Sequence, residues 1–136
     1  MKSSIKTRAM HICAIAVLYS VAYLISRYVF DVGGIFPVYT PGWTGRHVLW
    51  LAGVISTLPV LLGWIKFPYI TFAGFVLGNI AGELLGGFQS DVPPQYPHYG
   101  WFICIVVFLV SCVIGAYIEY RLKVSGETVR HQTKML

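Results

Sequence analysis

Four polar residues stand within or at the edges of long apolar stretches of this sequence, where their charges and amide would suit binding of a solute or an ion: Arg27, Arg46, Asn79 and Glu83. Asn79 and Glu83 are four residues apart in one apolar stretch, so on a helix they share a face. A charged side chain in hydrocarbon costs at least about 2.5 kcal/mol. Glu83 is therefore expected to face protein or water, or to be protonated.

Arg27 is expected at the same depth as Glu83, where an ion pair would lower the cost of burying each charge. The pattern predicts a polar cleft at one end of the protein, with Asn79 as its floor and Arg27, Arg46 and Glu83 as its walls. The alternative is purely structural. In that case Arg27 extends its guanidinium to lipid headgroups, and Glu83 pairs with it only for stability.

Four glycines recur at intervals of four residues in the same stretch: Gly74, Gly78, Gly82 and Gly86. On a helix they form a groove without side chains, and small residues of this kind let a neighbouring backbone approach closely in a membrane. We expect another helix to lie in this groove, either from the same molecule or from a second copy.

The run A-G-F-V-L-G-N-I-A-G-E-L-L-G-G, from residue 73 to residue 87, resembles the glycine-rich helices of small substrate-binding membrane subunits of vitamin transporters. The likeness covers this one helix, and those subunits have more spans than this chain is expected to have. The chain is therefore not assigned to that family.

The elements that must position these residues are apolar helices. The chain is 57% hydrophobic and 11% charged, whereas about a quarter of the residues of a soluble domain are charged. We predict an all-α integral membrane protein with four transmembrane helices in a single domain spanning 1–136. Its spans are expected at about 10–30, 47–65, 68–87 and 101–120, followed by a polar tail at about 122–136.

The basic residues indicate the orientation. Eight of the ten lysines and arginines lie in the short basic N-terminus, the turn at Lys66 and the tail, while Arg27 and Arg46 lie near the other end. The positive-inside rule then predicts a multi-pass protein of the cell membrane, with both termini and the turn on the cytoplasmic side. The predicted cleft opens to the outside. The net charge of +5 belongs to this asymmetry and does not suggest nucleic acid as a partner.

The sequence gives little support for haem, metal or catalytic chemistry. His11 and His47 stand at opposite ends of their spans, which excludes a haem held between them, and no spacing fits a metal site. We expect neither a cofactor nor an enzyme. An outward-facing membrane hydrolase with Asp31 and Asp91 as acid and base remains the alternative, although neither lies in a catalytic motif.

Two functions remain open. The first is a transporter, channel or solute-binding subunit that uses the predicted cleft for a small solute or ion. The second is an accessory, assembly or immunity subunit that docks a partner helix through the glycine groove. Four short helices bury modest area, so a homo-oligomer or a larger membrane complex is expected in either case.

Overall fold

The computed structural model describes the backbone of residues 4–25, 43–86 and 99–133, and all the side chains in these ranges except those at 43–48, 83, 86 and 126–133. This part of the chain is wholly helical. It forms four helices: α1 (Ile5–Ile25), α2 (Trp43–Leu61), α3 (Phe67–Gly86) and α4 (Gly100–Thr133).

The end of α2 is set by Gly63 and falls four residues before the predicted boundary. Gly63 has a φ of 84°, a conformation that glycine adopts without steric cost. Its N–H bonds to the Val60 carbonyl at 2.9 Å, and the Trp64 N–H bonds to the Pro59 carbonyl at 3.1 Å. This pair of bonds is the Schellman pattern that closes a helix with a left-handed glycine. The turn to α3 is correspondingly longer than the two residues expected.

The last helix also differs from expectation. α4 is 34 residues long and continues through most of the predicted polar tail to Thr133. Its apolar part, Gly100–Ser125, and α1 are the two described helices that are long and apolar enough to cross a membrane. The apolar parts of α2 and α3 are shorter.

α3 is the helix on which the others pack, and its most extensive contact is with α4. Two glycines make this contact close. A Cβ on Gly74 would lie 2.1 Å from Ser111 Oγ, and one on Gly78 would lie 2.9 Å from the backbone oxygen of Cys104. α4 contributes a glycine of its own, Gly115, which faces Phe67. Small residues on both helices thus let the two backbones approach closely.

The core draws on all four helices, with Phe108 as the contribution of α4. Tyr19 of α1 is at its centre, with its ring 5.0 Å from the ring of Phe72 and 5.3 Å from that of Phe75. Ile15 is completely buried beside it. Aromatic pairs at these distances add to the packing of the apolar groups around them.

Contacts between distant residues show that one end of the bundle gathers several chain segments. The start of α1 meets the end of α2 through Arg8 and Leu61. The α2–α3 turn meets α4 through Lys66 and Glu119. We call this the turn end: residues 4–11 of α1, residues 61–69, and residues 119–123 of α4.

Candidate functional site

The predicted cleft falls largely outside the described residues. Arg27 lies between the described ranges, and the side chains of Arg46 and Glu83 are not described. Asn79 is described and half-buried, and its Nδ2 donates to the Phe75 carbonyl of its own helix at 2.8 Å. The cleft therefore stays a prediction. The aspartates of the alternative hydrolase, Asp31 and Asp91, also lie outside the described residues.

The glycine row is described in part. Gly74 and Gly78 contact α4 as given above, and Gly82 is buried. The surroundings of Gly86 are not described. At two of its four positions the groove thus faces a helix of the same chain.

A separate groove of about 760 Å³ lies between α1 and α2. Its α1 wall runs from Ile12 to Leu24 and its α2 wall from Leu49 to Leu61. Each wall covers twelve residue steps, or about 18 Å along a helix. This is slightly more than half of the roughly 30 Å hydrocarbon core of a bilayer.

The groove is mainly apolar, and the hydroxyls of Tyr19 and Thr57 on its walls are already bonded within the protein. Tyr19 shares a 2.9 Å hydrogen bond with Ser56, which in turn accepts from Thr71 at 2.8 Å. Thr57 donates to the Gly53 carbonyl at 2.7 Å. What remains to contact a ligand is mainly hydrocarbon, as in most small-molecule sites.

Gly53 widens the floor of the groove. A Cβ at this position would lie 3.8 Å from the Tyr19 ring, which is an ordinary contact distance. A methyl group at this position would therefore fit beside the Tyr19 ring without displacing it. On the rim, Trp50 is 71% exposed, so this tryptophan can report what occupies the groove.

Arg8 belongs to the turn end and lies just beyond the end of the groove that Ile12 and Leu61 form. Its Nη1 donates to the carbonyl of Leu61, the last α2 residue of the groove wall, at 2.6 Å. A cation at a helix C-terminus satisfies a free carbonyl and opposes the negative end of the helix dipole. Arg8 Nε is buried and has no hydrogen-bond partner among the described residues. Since a guanidinium has five N–H donors, Arg8 keeps donors for a further acceptor.

Glu119 makes the complementary contact on the other side of the turn. Its Oε1 accepts from the N–H groups of Lys66 and of Phe67, the latter at 3.2 Å, and the side chain is 6% exposed. Pro68 has no N–H, and the Tyr69 N–H bonds to the Lys66 carbonyl. Every donor in the first turn of α3 is thereby accounted for. A carboxylate at this position also matches the positive end of the helix dipole.

The turn is thus held by two charges from outside the hairpin, Arg8 on the end of α2 and Glu119 on the start of α3. Two further contacts add to it. His11 Nδ1 and the Tyr69 hydroxyl are 2.6 Å apart, and Lys123 Nζ lies 5.5 Å from the centre of the Trp64 ring. No local sequence pattern predicts these contacts, because each joins residues more than fifty positions apart.

Comparison with protein-family models, with curated proteins and with solved structures finds no match. In the described part of the chain, no three histidine, cysteine, aspartate or glutamate side chains come together to hold a metal ion. Within the described residues, the α1–α2 groove and the cationic turn end beside it together form a candidate binding site.

Proposed function

We propose that the chain is a four-span, multi-pass protein of the cell membrane that acts as a solute-binding subunit or small transporter, with an apolar or amphipathic solute held in the α1–α2 groove. The observation that carries this proposal is the groove itself. It has apolar walls, a length close to half a bilayer and one cationic end. The proposal keeps the solute-binding function predicted from the sequence and assigns it a different site.

Large apolar side chains on the outside of the helices support the membrane setting. They include residues 53–78% exposed on α1, α2, α3 and α4: Val17, Leu51, Val54, Leu77, Leu84, Leu85, Leu109 and Val113. Water-soluble monomers rarely leave so much apolar surface uncovered, whereas lipid tails cover it at no cost.

The turn end supports the orientation. It brings together Arg8, Lys66 and Lys123, three of the basic residues that the positive-inside rule places in the cytoplasm. A maleimide that cannot cross membranes tests this in a variant without native cysteines. A cysteine in place of Ser4 should be labelled only after the cells are lysed, and labelling of intact cells would contradict the orientation.

An accessory subunit that docks a partner through the glycine row is the second candidate. Gly74 and Gly78 contact α4 of the same chain, so a partner would have to bind at Gly82 and Gly86 or displace α4. This contact favours the solute-binding proposal. A partner helix seated in the α1–α2 groove would be a different form of the accessory function, and the experiment below detects it.

The test compares two neighbouring residues of α1. Ala16 is exposed and lines the groove, whereas Val17 is 60% exposed and does not line it. The full chain and its Ala16→Phe and Val17→Phe variants are purified in mild detergent and weighed by native mass spectrometry. The expected result is a bound species of small mass on the parent chain and on Val17→Phe, which Ala16→Phe loses.

Three results would overturn the proposal. In the first, the parent chain carries no bound small molecule in any detergent that keeps it folded. In the second, both variants retain the bound species equally. In the third, the species that Ala16→Phe displaces is a second polypeptide, which would favour the accessory function.

A further inference from the structure

We propose that the ligand of the α1–α2 groove is an anionic phospholipid from the leaflet at the turn end, with one acyl chain between α1 and α2 and its phosphate on Arg8. This inference rests on the proposed function, since it names the class of solute that the groove binds. It is argued from the length of the groove, its polarity and the charge at its end.

The groove fits a single acyl chain of one leaflet. Its walls extend about 18 Å along the helices, and a leaflet contributes half of a hydrocarbon core about 30 Å thick. The hydroxyls of Tyr19 and Thr57 are bonded to Ser56 and to the Gly53 carbonyl. A polar solute would find few free partners along the walls, whereas a hydrocarbon chain needs none.

The headgroup end is defined by Arg8. It stands one helical turn before Ile12, the first α1 residue of the groove wall, and it bonds to the carbonyl of Leu61, the last α2 residue of the opposite wall. Its guanidinium uses one Nη1 N–H for Leu61, and its Nε is buried without a partner among the described residues, so the N–H groups left for an external acceptor are those of Nη1 and Nη2. Guanidinium groups bind phosphate oxygens through parallel N–H donors. A phosphate at this point would lie at the level where a headgroup belongs.

The charges around Arg8 favour an anionic over a zwitterionic lipid. Lys6, Lys66, Arg121 and Lys123 are exposed at the same end. Glu119 is the one carboxylate among the described side chains, and it is buried against the first turn of α3. The surface that the described residues present to the headgroups is therefore cationic. Each such residue near an anionic membrane surface contributes roughly 1 kcal/mol.

Fluorescence quenching of Trp50 tests the inference. Trp50 lines the groove eleven residues before Leu61, which is about 16 Å along the helix from Leu61 and level with the methyl end of an acyl chain in a leaflet about 15 Å thick. A full-length variant keeps Trp50 as its one tryptophan through Trp43→Phe, Trp64→Phe and Trp101→Phe. It is reconstituted in phosphatidylcholine vesicles with a minor fraction of either phosphatidylglycerol or phosphatidylcholine brominated near the methyl ends of the acyl chains.

The expected result is stronger quenching by brominated phosphatidylglycerol than by brominated phosphatidylcholine at equal fractions. Arg8→Gln should lower this preference more than tenfold, because it loses direct charge-assisted hydrogen bonds to the phosphate as well as one surface charge. The matched control is Lys6→Gln, which removes one charge from an exposed side chain two residues away and should lower the preference about fivefold or less, the equivalent of roughly 1 kcal/mol for one basic residue at an anionic surface. Quenching by brominated phosphatidylcholine shows whether each variant is inserted.

Ala16→Phe distinguishes a failure of the anionic-lipid inference from a failure of the proposed solute-binding function. If Ala16→Phe abolishes the preference for phosphatidylglycerol and Val17→Phe does not, the lipid lies in the groove. If Arg8→Gln and Lys6→Gln reduce it equally, or the parent chain shows none, the anionic-lipid inference is overturned. The proposed function would still stand if Ala16→Phe removes a bound species in the mass measurement. A partner helix or second copy in the groove would overturn both.

Discussion

Replacing Glu119 should destabilise the protein more than any change of an exposed charge at the turn end. The carboxylate is 6% exposed and accepts from the N–H groups of Lys66 and Phe67. Glu119→Ala leaves both donors without their acceptor at the buried start of α3. A hydrogen bond to a charged group contributes about 1.5–3 kcal/mol, and a buried donor left unpaired costs about 1–3 kcal/mol. We expect a total loss of about 3 kcal/mol, because two bonds to one oxygen are not additive.

Glu119→Gln separates the hydrogen bonds from the charge. The amide keeps an oxygen acceptor at the same position but loses the interaction with the helix dipole, which contributes up to about 2 kcal/mol in a partly buried setting. We expect Glu119→Gln to lose about 1 kcal/mol, well below the loss for Glu119→Ala. Arg121→Ala, an exposed neighbour on α4, is the control and should change stability by less than about 0.5 kcal/mol.

Cys104 provides the assay in a variant in which Cys13 and Cys112 are replaced by alanine. Cys104 is 1% exposed and unbridged, so a thiol-reactive fluorescent dye reacts with it when the bundle opens. The midpoint of dye reaction on heating, together with unfolding by a denaturing detergent, ranks the variants. If Glu119→Ala were as stable as Arg121→Ala, the carboxylate would not be a cap, and the account of the turn would be refuted.

The remaining predictions concern the glycine contact and the predicted cleft. Gly74→Ala should destabilise by about 1–3 kcal/mol through overpacking, because its Cβ would overlap Ser111. Adding Ser111→Gly should restore most of the lost stability, and failure to do so would contradict the close approach of α3 and α4. Gly53→Ala is the control and should be tolerated, because its Cβ would lie 3.8 Å from the Tyr19 ring. Glu83→Gln should leave the species bound in the groove unchanged; loss of that species would instead favour the predicted outer cleft as the binding site.

Sequence patterns predicted the helical elements well, because long apolar stretches leave few alternatives to a helix. They missed the end of α2, although the signal was present. Gly63 follows an apolar run directly and precedes Trp64, which is the composition of a left-handed cap. Hydrophobicity alone places the boundary near Lys66, because apolar residues continue past this glycine.

The sequence could not predict the contacts of Arg8 and Glu119 at the helix ends, or the groove, for a different reason. Glu119 and Lys66 are 53 positions apart, as are Arg8 and Leu61. Nothing local marks either pair, since charged residues at segment ends also occur as solvated flanks. The groove depends on how far α1 stands from α2, which is decided by packing around Tyr19 and not by the composition of either helix. Asn79, the predicted floor of the cleft, donates through its amide to a carbonyl of its own helix.

A density map of the full chain in nanodiscs containing phosphatidylglycerol tests the central claim most directly. The account predicts one elongated non-protein density between α1 and α2, running from Arg8 and Leu61 towards Leu49, with its dense headgroup at the Arg8 end. A groove closed by direct contact of α1 with α2, or filled by a helix, would contradict it.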